Sequence, residues 1–319
     1  MNWKAARARF TLAGAAVLAV SVPLSGAVWG QQISAPSRPV SKPGASGFLS
    51  TPGQNMNGMH IYLWGGLKSH GEGQHDYPQW MADWSKLLTE HGALVDGAFH
   101  PPGPADLAHT DVVVIYKGDA AYLGGESKAT IEAFVKRGGG LVILHDALCG
   151  PDPAYFATLV GGAKHHGDVN YTLEAEVPYT IVDKSSPIME GMTDLTLLDE
   201  AFYSMTWSES PKIHVLATTV VAGTPSAGTH KGEVAPQIWT YEHTLAGGEP
   251  ARAFVWMQGH TYADFSNYQI QQMLLRGISW AAKHPVNELV DYKAPAPAVR
   301  PAGLPAGLPG GLPGGLPGQ

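Results

Sequence analysis

The stretch that decides the fold is GGGLVILHD, residues 138–146. Four apolar residues follow three glycines, and His145 and Asp146 follow the apolar run directly. A short apolar run between glycines and polar residues is typical of a parallel strand that is buried on both faces. Residues 111–116, DVVVIY, have the same pattern. We therefore expect these two strands to lie in the interior of a parallel sheet.

Apolar strands alternate with amphipathic helices around these two segments. Residues 60–64, 93–99 and 253–257 are further apolar runs, and Trp80, Trp84 and Leu88 recur at helical spacing. Three β-rich segments in the second half have no helices between them; they are residues 171–182, 214–221 and 237–241. This order predicts an α/β fold with a doubly wound, mostly parallel sheet and an antiparallel excursion in the second half.

The two ends of the chain lack this pattern. Residues 1–30 combine Lys4, Arg7 and Arg9 with a short apolar run and small residues, as in a secretory signal, so we expect export to the periplasm or beyond. An uncleaved segment would instead anchor the chain in a membrane. Residues 31–57 are predicted to be a flexible linker, residues 58–290 the domain, and residues 291–319 a Gly/Leu/Pro tail.

Composition excludes several classes of function. The 319 residues contain 27 acidic and 20 basic side chains, a net charge of −7, which disfavours binding to a nucleic acid backbone. A single cysteine, Cys149, rules out an internal disulfide and a multi-thiolate metal site. No Gly-x-Cys-x-Gly or Gly-x-Ser-x-Gly elbow surrounds a nucleophile, so acyl transfer through a cysteine triad is disfavoured.

Histidines at strand ends are the strongest candidates for chemistry. His145 and His260 each follow an apolar strand at its carboxyl end, where ligands bind to sheets of this kind. Imidazoles transfer protons near neutral pH, and Glu200 is a candidate to orient one of them or to act as a second acid or base. These three residues are the predicted catalytic groups.

Further side chains are candidates for binding. A set of histidines and carboxylates with open positions also suits Zn²⁺ or Mn²⁺. Whether a metal is bound stays open, and the candidate ligands are His70, His75, His145 and His260. The predicted contacts to substrate are His70, Asp146, His165, Tyr203 and Tyr262.

Several motifs together resemble the trehalose-utilisation (ThuA-like) family. They occur in the same order over residues 58–283, and they are residues 138–146, 161–163, 186–191, 199–200, 214–217, 259–260 and 274–281. Ser186 stands where relatives often carry His. The resemblance implies a flavodoxin-like fold of the class I glutamine amidotransferase type that lacks the cysteine triad. It also implies a role in sugar utilisation, with keto-disaccharides as substrates.

Two functions remain open at this point. The first is an exported carbohydrate-active enzyme, a hydrolase, lyase or isomerase for a glycoside or 3-keto-glycoside. A ketone acidifies the neighbouring C–H group, so histidine and carboxylate acid–base chemistry, with or without a metal, would serve it. The second is a sugar-binding or surface-interaction module without catalysis. In both, the partner is a small carbohydrate.

Overall fold

The computed structural model describes residues 50–55, 58–166, 171–210 and 212–294. The predicted signal segment, most of the predicted linker and residues 295–319 of the tail lie outside the described residues. Within the described part of the chain, no helix is both long enough and apolar enough to cross a membrane.

Strands and helices alternate in the first half, and strands dominate the second. The described residues form four α-helices, α1 (Tyr77–Glu90), α2 (Gly125–Lys136), α3 (Pro153–Val160) and α4 (Tyr268–Ala281). The strands are β1 (His60–Gly65), β2 (Leu94–Ala98), β3 (Val112–Tyr116), β4 (Gly140–Leu144), β5 (Gly162–Ala163), β6 (Tyr171–Ile181), β7 (Thr196–Phe202), β8 (Thr206–Trp207), β9 (Ile213–Val220), β10 (Val234–Thr244) and β11 (Pro250–Trp256).

One nine-stranded sheet has the order β2-β1-β3-β4-β11-β10-β9-β6-β7. The first five strands in this order are parallel, and the other four add to them in antiparallel fashion. The predicted fold is therefore confirmed, including the antiparallel excursion. Because β1, β3, β4 and β11 run in the same direction, their carboxyl ends meet at one edge of the sheet.

The sheet is covered on both faces. In β3, Val112 and Val114 face the core beneath α1 and α4, where Trp80 and Ile278 are buried. Val113 faces the core beneath α2 and α3. Burial on both faces explains why this strand is apolar at every position.

Helix α3 was not predicted from the sequence, although its boundary signals are present. The Asp152 carboxylate accepts a hydrogen bond from the Tyr155 N–H at 3.0 Å, and Pro153 occupies the first turn. Gly161 ends the helix at a φ of 90°. At eight residues, this helix is too short to give a clear apolar period.

Part of the predicted linker is attached to the domain. The Gly53 N–H and the Asn55 side-chain amide donate to the buried Asp111 carboxylate at 2.7 and 2.9 Å. The His60 N–H donates to the same carboxylate at 2.8 Å. Asp111 thus fixes the chain segment that leads into β1.

We expect Gly140→Ala to destabilise the domain. A Cβ atom at Gly140 would lie 2.2 Å from the carbonyl oxygen of Ala281, and this backbone atom at the end of α4 has no rotamer with which to move away. Crowding of this kind costs roughly 1–3 kcal/mol. Thermal unfolding should show a melting temperature lower by about 3–10 °C. In the control, Gly103→Ala, the nearest new contact is an ordinary 3.6 Å, and an equal loss there would contradict the packing argument.

Candidate functional site

Three buried histidines meet at the carboxyl edge of the parallel strands. His145 follows β4, His260 follows β11, and His75 ends the loop between β1 and α1. Their ring centroids are 4.5 Å apart for His75 and His260, 4.9 Å for His75 and His145, and 5.7 Å for His145 and His260. We call these three residues the histidine cluster.

The ring nitrogens of the cluster point toward one another. His75 Nε2 lies 2.9 Å from His145 Nε2 and 2.9 Å from His260 Nδ1. His145 Nδ1 lies 3.1 Å from the carbonyl oxygen of Met257, which can only accept a hydrogen bond. His145 therefore carries its proton on Nδ1 and turns the lone pair of Nε2 toward His75. This tautomer is the one that a metal-binding imidazole adopts.

A carboxylate completes the group. One oxygen of Glu200 lies 3.6 Å from His145 Nε2, and the other lies 3.6 Å from His260 Nδ1. Glu200 is 7% exposed, so its carboxyl group is held close to the imidazoles and largely away from bulk water. Ser69 contacts the opposite side of the cluster, because its Oγ lies 3.1 Å from His75 Nδ1.

Burial sets the protonation of the site. It lowers the pKa of His145 to about 3. Burial and the neighbouring imidazoles also lower the pKa of His75 well below its usual value. Near neutral pH both rings are therefore neutral and able to act as ligands. Beside them, burial raises the pKa of Asp146 to about 6, while the Tyr77 hydroxyl donates to its carboxylate at 3.1 Å.

The backbone is strained where it delivers these side chains. The φ angles of His70, His75 and His145 are 63°, 44° and 57°, in the left-handed region that residues with a Cβ rarely adopt. Gly259, with a φ of 121°, turns the chain just before His260. Such strain is concentrated at functional sites, where it orients side chains that the regular elements could not.

Asp199 attaches β7 to the turn that carries His260. Its buried carboxylate accepts backbone N–H bonds from Glu200 at 2.7 Å, Gly259 at 3.2 Å, His260 at 3.3 Å and Thr261 at 2.9 Å. One side chain therefore sets the backbone positions of both Glu200 and His260. Asp199 belongs to one of the motifs of the resemblance, but its sequence context predicts no role for it.

A second carboxyl group, that of Asp264, interacts with Asp199. One oxygen of Asp264 is buried and has no hydrogen-bond partner among the described residues. Burial and the nearby charge of Asp199 hold the pKa of Asp264 well above its usual range. The pair therefore carries one proton and a single negative charge.

A cleft of about 460 Å³ adjoins the histidine cluster. Its lining comes from the loops that follow β1, β2, β3, β4 and β5. The lining residues are Gly66, Leu67, Ser69, His70, His75, Tyr77, Phe99, Lys117, Gly118, Asp119, Asp146 and His166.

The predicted substrate contacts divide into two groups. His70 and Asp146 line the cleft, and the His70 ring lies 4.0 Å from that of His75. Of the adjacent histidine pair, His166 lines the cleft, whereas the predicted His165 is exposed outside it. Tyr203 and Tyr262 were also expected at the substrate.

The structure does not bring these two tyrosines to the cleft. Tyr203 is buried in a separate small core, and its hydroxyl donates to the Ser226 carbonyl at 2.9 Å. The Tyr262 hydroxyl donates to Asp83 on α1, and its ring packs near Phe265. Each follows a site segment in sequence, but the backbone directs the Tyr203 side chain into the small core and the half-buried Tyr262 side chain toward α1.

Several lining residues were missed in the sequence. Lys117 and Asp119 follow β3, so the strand-end rule that selected His145 and His260 could have selected them as well. One carboxylate oxygen of Asp119 lies 2.7 Å from His166 Nδ1. The sequence gave no indication that Tyr77 and Phe99 line the cleft, because aromatic residues at element ends are as common in cores as in binding sites.

Cys149 lies in a different environment from that of a nucleophile. Its side chain is 1% exposed, and burial raises the pKa of the thiol far above the physiological range. Its Sγ lies 3.8 Å from Nζ of the buried Lys164. Asp119, Cys149 and His166 place one ligand atom each within 4.8 Å of one another. The nearby ammonium group makes this set less suited to a cation than the histidine cluster.

A protein-family model and the comparison of folds identify the same family as the relatives of this chain. The model described as ThuA, trehalose utilisation, matches residues 68–281. The chain belongs to this family. No curated protein matches the sequence.

Solved structures show the same fold. A ThuA-like protein from Parabacteroides merdae is 20% identical, with a TM-score of 0.53, and the match covers 70% of this chain and 90% of that one. A ThuA-like protein from Bacteroides uniformis is 16% identical, with a TM-score of 0.51 and the same coverage. These structures share the α/β fold with a mostly parallel sheet that the sequence predicts.

We expect the two members of the carboxyl pair to respond differently to the same change. Asp264→Asn keeps a hydrogen-bond donor toward Asp199, so the free energy of unfolding should change by less than about 1 kcal/mol near pH 5. Asp199→Asn removes the charge that accepts four backbone N–H bonds and should cost about 2–4 kcal/mol. Denaturant unfolding measures both, and equal losses would contradict the assignment of the proton to Asp264.

The pH dependence gives an independent check. Because the folded-state pKa of Asp264 is raised, the folded chain binds more protons than the unfolded chain above the ordinary carboxyl pKa of about 4. This contribution to stability is present below that pH and is lost as the pH rises. Asp264→Asn should therefore become progressively more stable than the unsubstituted chain between pH 5 and about pH 8.

Proposed function

We propose that this chain is a metal-assisted, carbohydrate-active enzyme that acts on a glycoside or keto-sugar. The observation that carries the proposal is the convergence of three imidazole nitrogens, from His75, His145 and His260, in a buried site beside an open cleft. Family membership adds sugar utilisation as the biological context, since the family is described by trehalose utilisation.

The geometry of the cluster fits a divalent cation such as Zn²⁺ or Mn²⁺. The Nδ1–H of His145 is committed to Met257, so the facing Nε2 atoms of His145 and His75, 2.9 Å apart, need a proton or a cation between them. A cation within reach of both lone pairs removes their repulsion. Hydrogen bonds on the far side of the rings are typical of histidines that bind metal, and here His145 Nδ1 donates to the Met257 carbonyl while His75 Nδ1 bonds with the Ser69 hydroxyl.

The chemistry follows from the neighbouring groups. A bound divalent cation would polarise a carbonyl oxygen and stabilise negative charge that develops on it. Glu200 is then the group placed to take a proton from the carbon beside a keto group. The C–H electron pair becomes a new C=C bond, the glycosidic C–O bond breaks, and the departing oxygen takes a proton from water in the cleft. With all three imidazoles as ligands, His145 and His260 hold the cation rather than transfer protons.

A binding module without catalysis is the second candidate. The observation that favours it is the cleft itself, which combines exposed apolar side chains with carboxylates and would hold a sugar without any reaction. The buried imidazoles favour the enzyme, because a site that only binds a sugar does not require three histidine ring nitrogens in a buried cluster. Metal content and turnover distinguish the two.

Export is part of the proposal and rests on the sequence alone. Residues 1–30 have the composition of a secretory signal, and we propose a periplasmic or extracellular location on that basis.

Metal binding should depend on the histidine cluster. We expect the full chain, after treatment with a chelator, to bind one equivalent of Zn²⁺ in calorimetric titration. His260→Ala and His75→Asn should each weaken binding by more than about 100-fold, since each removes one of three ligands. Asn is chosen at position 75 because it tolerates the left-handed backbone.

The control for this titration is His165→Ala, which removes an exposed imidazole outside the cleft and should leave the affinity unchanged. Stoichiometry well below one in the unsubstituted chain, or equal affinity in all variants, would overturn the metal site.

Turnover should depend on Glu200 and not on the thiol. The assay follows a panel of disaccharides and their 3-keto derivatives in the presence of metal. Glu200→Gln should lose about 10²–10⁴-fold in kcat, the usual contribution of a general base. Cys149→Ser should retain activity within about tenfold, because its thiol is buried and protonated. An inactive Cys149→Ser beside an active Glu200→Gln would replace this mechanism with a thiol mechanism.

A further inference from the structure

A second cavity lies at the edge of the sheet opposite the histidine cluster. It has a volume of about 780 Å³ and adjoins Pro250, the first residue of β11, whereas His260 follows the other end of this strand. We propose that it binds a small organic anion, with the carboxylate or phosphate group of the ligand at Lys283 and Arg252 and its polar remainder at His243. The inference goes beyond the proposed function, because the described lining of this cavity shares no residue with the cluster or its cleft.

The strongest sign of a missing ligand is His243 on β10. Its side chain is 8% exposed, and neither ring nitrogen has a hydrogen-bond partner within the described part of the chain. Burial lowers the pKa of His243 to about 4, so the ring is neutral and can donate one hydrogen bond and accept another. Buried polar groups in folded proteins are almost always paired. Because the His243 ring lines the cavity, polar atoms of a ligand can supply the missing partners.

The packing of His243 limits the direction from which a partner can come. The Tyr241 ring stacks on the imidazole, with the ring centroids 4.6 Å apart and the planes inclined by 7°. This stacking covers one face of the imidazole. The unpaired nitrogens lie at the edge of the ring, so the ligand must approach in the plane of the ring rather than from the covered face.

The cavity concentrates positive charge in a chain whose net charge is −7. Four of its lining side chains are cationic and two are carboxylates; they are Arg137, Lys212, Arg252 and Lys283, and Glu242 and Glu249. Arg137 is committed to the fold, since its guanidinium donates to four backbone carbonyls. Arg252 Nε pairs with Glu242 at 3.1 Å. Among the described residues, neither lysine has a carboxylate within ion-pair distance.

Lys283 brings its ammonium group close to the guanidinium of Arg252. Burial and the charge of Arg252 lower the pKa of Lys283, and the charge of Glu249 offsets them in part. The φ of Lys283 is 62°, in the left-handed region that residues with a Cβ rarely adopt. A Cβ at Gly138 would lie 2.6 Å from Lys283 Nζ, so the glycine leaves room for the ammonium. Two neighbouring cations, one on strained backbone, favour an anion beside them.

The carbonyl end of α4 accounts for part of this positive charge. Arg252 Nη1 donates to the Trp280 carbonyl at 3.1 Å in the last turn of the helix. A helix end carries about half an elementary negative charge, which is less than the charge of the two cations. The Nη2 group of Arg252 makes no hydrogen bond within the described residues, so it can donate to an anion.

The size and the remaining lining of the cavity suit a polar small molecule rather than a free ion. Thr51, Gln54 and Thr244 add hydroxyl and amide groups to the lining. Sites for small molecules have volumes of roughly 300–1,000 Å³, and about 780 Å³ lies within this range. The ligand therefore has an organic part that carries hydrogen-bonding groups in addition to its anionic group.

The test is calorimetric titration of the full chain with three small molecules of similar size. Glycerol 3-phosphate carries a phosphate, glycerate carries a carboxylate, and glycerol is uncharged. The chain is first treated with a chelator, so that no anion binds to a metal at the histidine cluster. We expect about one equivalent of glycerol 3-phosphate or glycerate to bind and glycerol not to bind. The tighter of the two anions identifies the anionic group of the ligand.

Two variants locate the binding. Lys283→Asn suits the left-handed backbone and removes the ammonium, and it should weaken anion binding about 10-fold or more. His243→Phe keeps a ring against Tyr241 and removes both nitrogens, and it should weaken binding about threefold or more. Without ligand, His243→Phe should melt at the same temperature as the unsubstituted chain or higher, because it loses no hydrogen bond. In the control, Lys184→Gln removes an exposed ammonium outside the cavity and should leave affinity unchanged.

His260→Ala separates this site from the histidine cluster. Anion affinity should be unchanged in this variant, because His260 lies at the opposite edge of the sheet, and that result stands whether or not the cluster binds metal. Loss of anion binding in His260→Ala would place the anion at the cluster and overturn the proposal. No binding of either anion to the unsubstituted chain, glycerol binding as tight as that of the anions, or equal affinity in Lys283→Asn, His243→Phe and the unsubstituted chain would overturn it as well.

Discussion

One ring nitrogen of His75 lies 2.9 Å from a ring nitrogen of His145 and 2.9 Å from one of His260 in a buried site, and much of the local structure serves this arrangement. His145 is fixed in one tautomer by Met257. His75 and His145 are held at positive φ, and Gly259 turns the chain before His260. The positive φ angles of His75 and His145 cost free energy, because these residues carry a Cβ. Together these features keep ring nitrogens of the three histidines facing one another.

The antiparallel half of the sheet supplies the acidic group of the site, which the parallel half lacks. The parallel strands end in histidines at one edge, but the acidic group comes from β7 at the far end of the strand order. Asp199 connects the two regions, because its carboxylate binds the backbone of Glu200 and of the turn at residues 259–261. Gln258 strengthens the connection by donating to the Glu200 carbonyl at 2.9 Å. The extension of the sheet is thus part of the site.

The sequence was sufficient for the architecture and for part of the site. Fully apolar runs such as β3 identify buried parallel strands, and a histidine after such a strand is placed by topology alone, as His145 and His260 are. The positions of the other site residues depend on the conformations of the loops. The conformation of the loop after β5 decides whether His165 or His166 faces the cleft. The backbone after β7 directs Tyr203 into a separate small core. The partnership of Asp199 and Asp264 joins residues 65 positions apart, and no local pattern marks it.

The central claim is that the histidine cluster is a metal centre. X-ray absorption spectroscopy of the Zn²⁺-loaded full chain tests it most directly, because the scattering identifies the ligand atoms and their distances. The account predicts three imidazole nitrogens at about 2.0–2.1 Å, with oxygen completing the coordination. A sulfur scatterer near 2.3 Å, which would indicate Cys149, or a shell of oxygen without imidazole would contradict it.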